Sequence, residues 1–188
     1  YTTERIFRPL AMKNTGWYIR DIDRKLHAVP YTRISEDFEF PDEYPDPQSY
    51  LPQSAEQTTV SGGDLFPHCI YSFPNYSDGL VRSSVADLSR FLLAMTNGGE
   101  LDDHRILEEK NIRTMLSDQH FGRGLCWSST TLGGKSERVW YHGGSDPGVM
   151  TFLGFRPHDG VGVIALANCD DPGPGFPEIV QTLFLGAG

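Results

Sequence analysis

The chain has 188 residues and a mass of 21.0 kDa, and its 16 Lys plus Arg against 25 Asp plus Glu give a formal net charge of −9. That acidic balance argues against non-specific nucleic-acid binding, which needs clustered basic side chains on the phosphates. With 11 Phe, 8 Tyr and 3 Trp, the composition also excludes an intrinsically disordered chain. No apolar run reaches the ~18 residues that a transmembrane helix needs.

The sequence pattern of residues 2–80 predicts a helix end followed by a long connection. Apolar residues in the stretch from Thr2 to Met12 form one helical stripe, and Pro9 favours an end to that helix. From residue 18 to residue 80, prolines recur and helical periodicity never lasts more than a turn. A connection of this length is usually functional or disordered, and its many aromatic residues favour a packed loop.

Residues 83–117 predict a helical region. Ser84 has the properties of an N-cap with Asp87 three residues later, as in a capping box, and Asn97-Gly98-Gly99 is typical of a helix end. Between them, apolar side chains recur at helical spacing (Leu88, Phe91, Leu92 and Met95). A second helix is predicted from Glu108 to Leu116.

The sequence pattern of residues 122–185 predicts strands and a closing helix. Strands are expected at 124–128, 138–144, 149–156 and 161–168, with Asp159-Gly160 as a hairpin turn. The continuous apolar run of 161–167 favours a central strand covered on both faces. A helix over 176–184 should cover one face of the sheet, and its expected inward residues are Ile179, Val180, Leu183 and Phe184. The predicted class is α+β, with an antiparallel sheet flanked by helices.

The strand that ends at His142 is the most specific candidate site. Gly143 and Gly144 follow the histidine and leave the backbone bare, so a ligand can approach closely. Such an edge can pair with an extended substrate, and an exposed N–H can stabilise an oxyanion. A β-turn with a surface histidine remains the alternative. Neither the six histidines nor the three cysteines have metal-ligand spacing, so no metal site is predicted.

Several motifs occur in the order found in the serine β-lactamase and penicillin-binding-protein superfamily, and the chain resembles its class C and esterase-like branch. Ile6–Thr15 resembles I-F-x-P-L-G-M-x-x-T, with Ala11 where glycine is usual, and Asp78–Phe91 resembles G-G-L-x-S-T-x-x-D-L-A-R-F. Phe121–Trp127 is similar to Y-G-L-G-W, with two more residues than that motif. His142-Gly143-Gly144 with Pro147-Gly148 matches H-G-G…P-G, and Phe155–Asn168 resembles the last strand pair.

The resemblance implies a partial β-lactamase/transpeptidase-like fold and acyl transfer through a serine nucleophile, with no cofactor and no metal. Residues 1–188 would be the C-terminal part of one such domain, with 18–80 as a pocket-lining loop. His142 would take the place of the lysine in the third motif, and Ser145 would offer its backbone N–H to the oxyanion hole. Tyr141, Gly143 and Gly144 would contact the substrate.

The departure from the family pattern concerns the attacking group. No Ser-x-x-Lys, Tyr-x-Asn or Ser-x-Asn occurs in the sequence, although the family's nucleophile motif is Ser-x-x-Lys. We therefore expect the C-terminal portion of a serine hydrolase that acts on an ester, an amide or a β-lactam and is inactive alone. It should bind its missing N-terminal half or self-associate through an exposed sheet. The alternative is a non-catalytic binding module. The signal region is expected to lie outside these residues, so a periplasmic, secreted or cytoplasmic location stays open.

Overall fold

The first elements of the chain are short turns and one small sheet. The computed structural model describes residues 1–33, 65–67, 70–71, 78–131 and 138–187. Most of the predicted 18–80 loop therefore lies outside the described residues. Its described parts include strands β1 (Tyr31–Arg33) and β2 (Leu65–Pro67), which pair antiparallel.

The predicted helix end at the start of the chain is a single π-helical turn, Thr3–Phe7. Phe7, Leu10 and Met12 are buried and pack against Ala94. Ala11 has φ +52°, the left-handed region that glycine tolerates best. The residue that departs from the family's motif therefore occupies a position where the backbone itself favours glycine.

Ala11→Gly is expected to raise the free energy of unfolding by about 0.5–1 kcal/mol, because it relieves the left-handed strain of an exposed side chain. Ala86→Gly is the matched control, since Ala86 is exposed in the first turn of the helix Val85–Thr96, where glycine is also less favourable than alanine, by up to about 1 kcal/mol. Urea unfolding of the two variants should give shifts of opposite sign. A destabilised Ala11→Gly variant would contradict the backbone argument.

Helix α1 (Val85–Thr96) begins at the predicted cap, since the Asp87 N–H donates to Ser84 Oγ at 3.1 Å. The capping box is not reciprocal, however, because the Asp87 carboxylate accepts from the Asn14 N–H (2.6 Å) and the Thr15 hydroxyl (2.9 Å). The helix ends as predicted, with Gly98 and Gly99 at φ +69° and +95°. Asp87 thus connects the N-terminal turn to α1.

A β-hairpin that the sequence did not predict follows α1. It consists of β3 (Glu100–Leu101) and β4 (His104–Arg105), and the two aspartates between them both have positive φ. Helix α2 (Glu109–Met115) comes next, close to its predicted range.

The main sheet has four antiparallel strands in the order β5-β6-β7-β8. They span Ser128–Thr131, Arg138–Asp146, Val149–Phe155 and Gly162–Ala167. The prediction of a strand at 124–128 is wrong: Gly122 and Cys126 have positive φ, and Gly124 N–H donates to Trp127 O, so this segment turns and the strand begins at Ser128. The turn at Gly160, with φ +72°, is confirmed.

Both faces of this sheet are covered, which confirms the α+β class. On one face Trp140 and Phe155 pack with Leu92 and Met95 of α1. On the other, Val139 and Val163 pack with Val180 of α3 (Gly175–Gly186). Strand β8 contacts helices on both faces, although Leu166 is 42% exposed. The prediction that this strand is central is wrong for the described residues, in which it lies at the edge of the sheet.

Helix α3 presents a narrower inner face than predicted. Val180 and Phe184 are buried, whereas Ile179 and Leu183 are 57% and 48% exposed, so the prediction of four inward residues is half wrong. Positions 179 and 183 are one turn apart and form a separate apolar stripe. The carbonyl oxygens at the C-terminal end of α3 accept from buried Arg156, whose charge is favourable there.

Candidate active site

Strand β6 has one open side from His142 onward. Its neighbour β5 begins opposite Tyr141, where Ser128 pairs with it, and runs away from His142. Between His142 and Asp146, β6 pairs only with β7 in the described part of the chain. The bare segment that the sequence singled out is therefore a strand edge, and Gly143, Gly144 and Ser145 are all exposed.

The register of the hairpin determines which N–H groups face this open side. Asp146 and Val149 flank the two-residue turn Pro147-Gly148, in which Gly148 has φ +79°. Residues that flank a two-residue hairpin turn exchange both of their backbone hydrogen bonds, and this pairing alternates along the strands. The even-numbered residues of β6 therefore bond to β7, and Ser145, like Gly143, directs its N–H and C=O to the open side.

Strand β5 supports the same alternation independently. The Ser129 N–H donates to Gly122 O at 2.8 Å, away from β6. Ser129 lies opposite Trp140, and because its N–H points away from β6, these two residues form a non-hydrogen-bonded pair. The next pair, Ser128 with Tyr141, is therefore a hydrogen-bonded pair. The backbone N–H and C=O groups of the odd-numbered residues of β6 thus point away from β7. The Ser145 N–H, which the sequence predicts as an oxyanion donor, therefore points to the open side of β6.

The two glycines of the edge differ in the room that a larger side chain would have. A Cβ at Gly144 would lie 2.7 Å from Thr151 Oγ1, closer than packing allows, so no larger residue fits without a shift of that threonine. At Gly143 the nearest atom to such a Cβ is Thr151 O at 3.7 Å, which leaves room in the sheet. Packing within the sheet therefore does not require glycine at position 143.

His142 and Tyr141 point to opposite faces of the sheet, since side chains alternate along a strand. The His142 side chain is exposed and shares a face with Trp140. The Tyr141 ring stacks on Phe152, with centroids 5.5 Å apart and planes 14° apart, on the face that α3 covers. His142 is therefore positioned beside the open edge, whereas the Tyr141 ring packs within the sheet.

Residues distant in sequence hold the turn that follows β6. The Asp170 carboxylate accepts from the Gly148 N–H at 3.2 Å, and the Tyr31 N–H donates to Gly148 O at 3.3 Å. The Tyr71 hydroxyl donates to Pro147 O at 2.7 Å. Sequence reasoning missed these three residues, because no local pattern connects them to the turn.

The half-buried side chain of Arg82 binds the backbone of Tyr71, one of the residues that hold this turn. The Arg82 guanidinium donates to Tyr71 O at 2.6 Å and to Trp17 O at 3.1 Å. Burial lowers the pKa of Arg82 below its ordinary value. Burial also lowers the pKa of His27, a hydrogen bond with Ala28 O partly offsets this, and the charge of Arg82 lowers it further.

The depressed pKa of His27 predicts a pH-dependent stability. Because the folded chain disfavours protonated His27, the unfolded chain binds more protons, and stability is lost as pH falls from about 7 through the ordinary histidine range. His27→Asn should flatten the unfolding free energy between about pH 7 and pH 5. Urea unfolding across that pH range measures the pH dependence of the unfolding free energy, and His104→Asn on the β3–β4 hairpin is the control. An unchanged slope in His27→Asn would refute the assignment.

The part of the chain that the structure describes offers neither a metal site nor a membrane-spanning helix. The described residues contain no group of three His, Cys, Asp or Glu that could hold a metal ion. Within those same residues, no helix is long and apolar enough to cross a membrane. Cavities of about 420 and 470 Å³ lie beside the β3–β4 hairpin and beside the N-terminal turn, away from the β6 edge.

Comparison with known proteins defines the class. Residues 1–186 match the family described as Beta-lactamase, and the chain belongs to that family. The β-lactamase/transpeptidase-like fold that the motifs implied is thereby confirmed.

Three solved structures illustrate the fold. D-amino acid amidase from Ochrobactrum anthropi SV3 is 23% identical, with a TM-score of 0.69 over 98% of this chain and 50% of its own. A penicillin binding protein from Bacillus halodurans is 18% identical, with a TM-score of 0.66 over 98% and 49%. EstCE1, a hydrolase with promiscuous acyltransferase activity, is 16% identical, with a TM-score of 0.55 over 99% and 49%.

The chain spans about half the length of these solved structures. The comparison with curated proteins gave no match.

Proposed function

We propose that this chain forms the oxyanion wall of a serine acyl hydrolase whose nucleophile is supplied by polypeptide outside these residues. The observation that carries the proposal is the open side of β6, where the Ser145 N–H points outward from an exposed strand edge that begins at His142. Membership of the Beta-lactamase family supports acyl transfer as the reaction class.

The edge suits the two demands of acyl transfer. The outward N–H and C=O of Gly143 can pair with an extended acyl substrate, as in strand addition. The Ser145 N–H then donates to the oxygen that becomes negative when a serine attacks the carbonyl carbon. An ester, an amide or a β-lactam meets this description. The names of two solved relatives, an amidase and a hydrolase with acyltransferase activity, favour amides and esters.

The incomplete packing of the chain supports docking of the polypeptide that carries the nucleophile. Strand β8 contacts helices on both faces but has a free edge among the described residues, and unpaired edges bind further strands. On α3, which packs against β8, the stripe of Ile179 and Leu183 is exposed. A partner that pairs along β8 and covers this stripe would complete both layers. We propose the N-terminal half of the same protein as that partner, with self-association of the free chain as the competing outcome.

Covalent labelling tests the function. The joined polypeptide, meaning residues 1–188 expressed with the coding region that precedes Tyr1, should form one stable adduct with a fluorophosphonate. Residues 1–188 alone should form none, since they contain no Ser-x-x-Lys. An adduct on the isolated chain would refute the proposal. If the joined polypeptide has no Ser-x-x-Lys and forms no adduct, the chain is part of a non-catalytic binding module.

His142→Ala tests the role implied for the histidine. In the joined polypeptide it should lower kcat/KM for an ester substrate by roughly 10²-fold, the contribution of one positioned proton-handling or charge-stabilising group. His158→Ala, which removes an exposed histidine at the β7–β8 turn, is the control and should be neutral. Unchanged hydrolysis by His142→Ala would remove His142 from the site.

A further inference from the structure

Asp170 connects three segments around the turn that follows β6. Its Oδ2 accepts from the Gly148 N–H at 3.2 Å and from the Thr32 hydroxyl at 2.5 Å. Its own N–H donates to Tyr31 O at 3.3 Å. Asp170 comes three residues after the end of β8. One carboxylate therefore ties the end of β8 and strand β1 to the turn beside the candidate site.

The second carboxylate oxygen of Asp170, Oδ1, lies in a position that lowers the stability of the fold. Asp170 Oδ1 is buried and has no hydrogen-bond partner among the described residues. A buried polar atom without a partner is destabilising, so such groups in native proteins call for an explanation beyond stability. The contact that Asp170 makes with Gly148 offers one.

The geometry of β6 makes the position of the Pro147-Gly148 turn depend on the contact between Asp170 and Gly148. The segment from His142 to Asp146 is fixed on one side by β7 and is open on the other in the described chain. Its far end is fixed by Gly148, whose N–H is held by Asp170 and whose carbonyl oxygen is held by the Tyr31 N–H. Because Ser145 is three residues from Gly148, a shift of the turn moves the Ser145 N–H. A misplacement of about 1 Å can reduce catalysis on the order of 10²-fold.

We propose that Asp170 is a positioning residue, which aims the Ser145 N–H at the reacting oxygen by holding the Gly148 N–H. The catalytic consequence rests on the proposed function. The positional consequence does not, and it is measurable in residues 1–188 alone.

Amide hydrogen exchange in residues 1–188 tests the positional part. Asp170→Ala should speed exchange at Gly148 and Asp146 on the order of tenfold, because the acceptor of the Gly148 N–H is lost and the end of the hairpin loosens. Asp170→Asn should stay near wild type, since its side-chain oxygen can still accept from Gly148. Asp171→Ala is the matched control, because that neighbouring carboxylate accepts from Gly173 and not from the turn.

Kinetics of the joined polypeptide test the catalytic part. Asp170→Ala should lower kcat roughly 10²-fold with KM unchanged, since the oxyanion contact is made only in the transition state. Asp170→Asn should recover most of kcat, and Asp171→Ala should match wild type. A merely structural role would lower the amount of folded enzyme and leave kcat per folded molecule unchanged, and that result would overturn the proposal.

The hydrogen-exchange and kinetic measurements together distinguish a failure of the proposed function from a failure of the proposed role of Asp170. If the wild-type joined polypeptide does not hydrolyse any acyl substrate, the proposed function fails, and the exchange measurement alone decides whether Asp170 positions the turn. If Asp170→Ala does not fold, Thr32→Val takes its place, because it removes the hydroxyl that holds Asp170 Oδ2. Exchange at Gly148 and Asp146 should then rise several-fold, and unchanged exchange would overturn the proposal.

Discussion

Replacing Ser145 by proline is expected to lower kcat of the joined polypeptide by about 10²- to 10³-fold, the loss typical of removing one oxyanion donor. Proline has no N–H, and the Ser145 N–H points to the open side of β6, so no hydrogen bond to β7 is lost. The strand should therefore stay intact while the donor disappears. Steady-state kinetics with an activated ester measure the effect, and KM should change little.

Ser145→Ala is the matched control for this substitution. It removes the exposed hydroxyl and keeps the backbone N–H, so it should retain wild-type kcat within about threefold if the backbone group is the donor. A large loss in Ser145→Ala would assign the role to the hydroxyl. Wild-type kcat in a folded Ser145→Pro variant would remove this N–H from the oxyanion hole.

Asp87→Ala is expected to lower the free energy of unfolding by about 3 kcal/mol, because hydrogen bonds to a charged acceptor contribute about 1.5–3 kcal/mol each. The carboxylate is 5% exposed and accepts from the Asn14 N–H and the Thr15 hydroxyl. Its loss leaves these donors without their acceptor and detaches the N-terminal turn from α1. Urea unfolding at neutral pH measures the change.

Asp87→Asn provides a graded comparison. The amide keeps one oxygen acceptor but loses the charge, so it should be destabilised by roughly half as much as the alanine variant. Ser89→Ala, on the exposed side of the same helix, should change stability by less than about 0.5 kcal/mol. A loss below about 1 kcal/mol in Asp87→Ala would show that this carboxylate does not hold the N-terminal turn in place.

The sequence predicted those elements whose signal is local. Ser84 and Asn97 cap α1, and both were recognisable because capping depends on a few neighbouring residues. The strand through Trp140 was recognisable from its β-formers, and its aromatic character follows from burial against α1. The bare segment after His142 was recognisable from its two adjacent glycines, which leave a strand without side chains.

Other features depend on the fold as a whole and could not be predicted locally. Which N–H groups of β6 face outward depends on the pairing of Asp146 with Val149, and one residue of slip would reverse it. Ile179 satisfies helical periodicity as well as Val180 does, and only the position of β8 decides which is buried. Asp170 is 138 residues from Thr32, so their contact has no sequence signature.

Amide hydrogen exchange along β6 in the joined polypeptide, before and after fluorophosphonate labelling, tests the oxyanion wall most directly. The Ser145 amide should exchange rapidly in the free protein and become protected in the adduct, whereas His142 and Gly144, bonded to β7, should exchange slowly in both states. If labelling leaves Ser145 exchange unchanged, or if Ser145 is already as protected as Gly144, the β6 edge is not the wall of the acyl-transfer site.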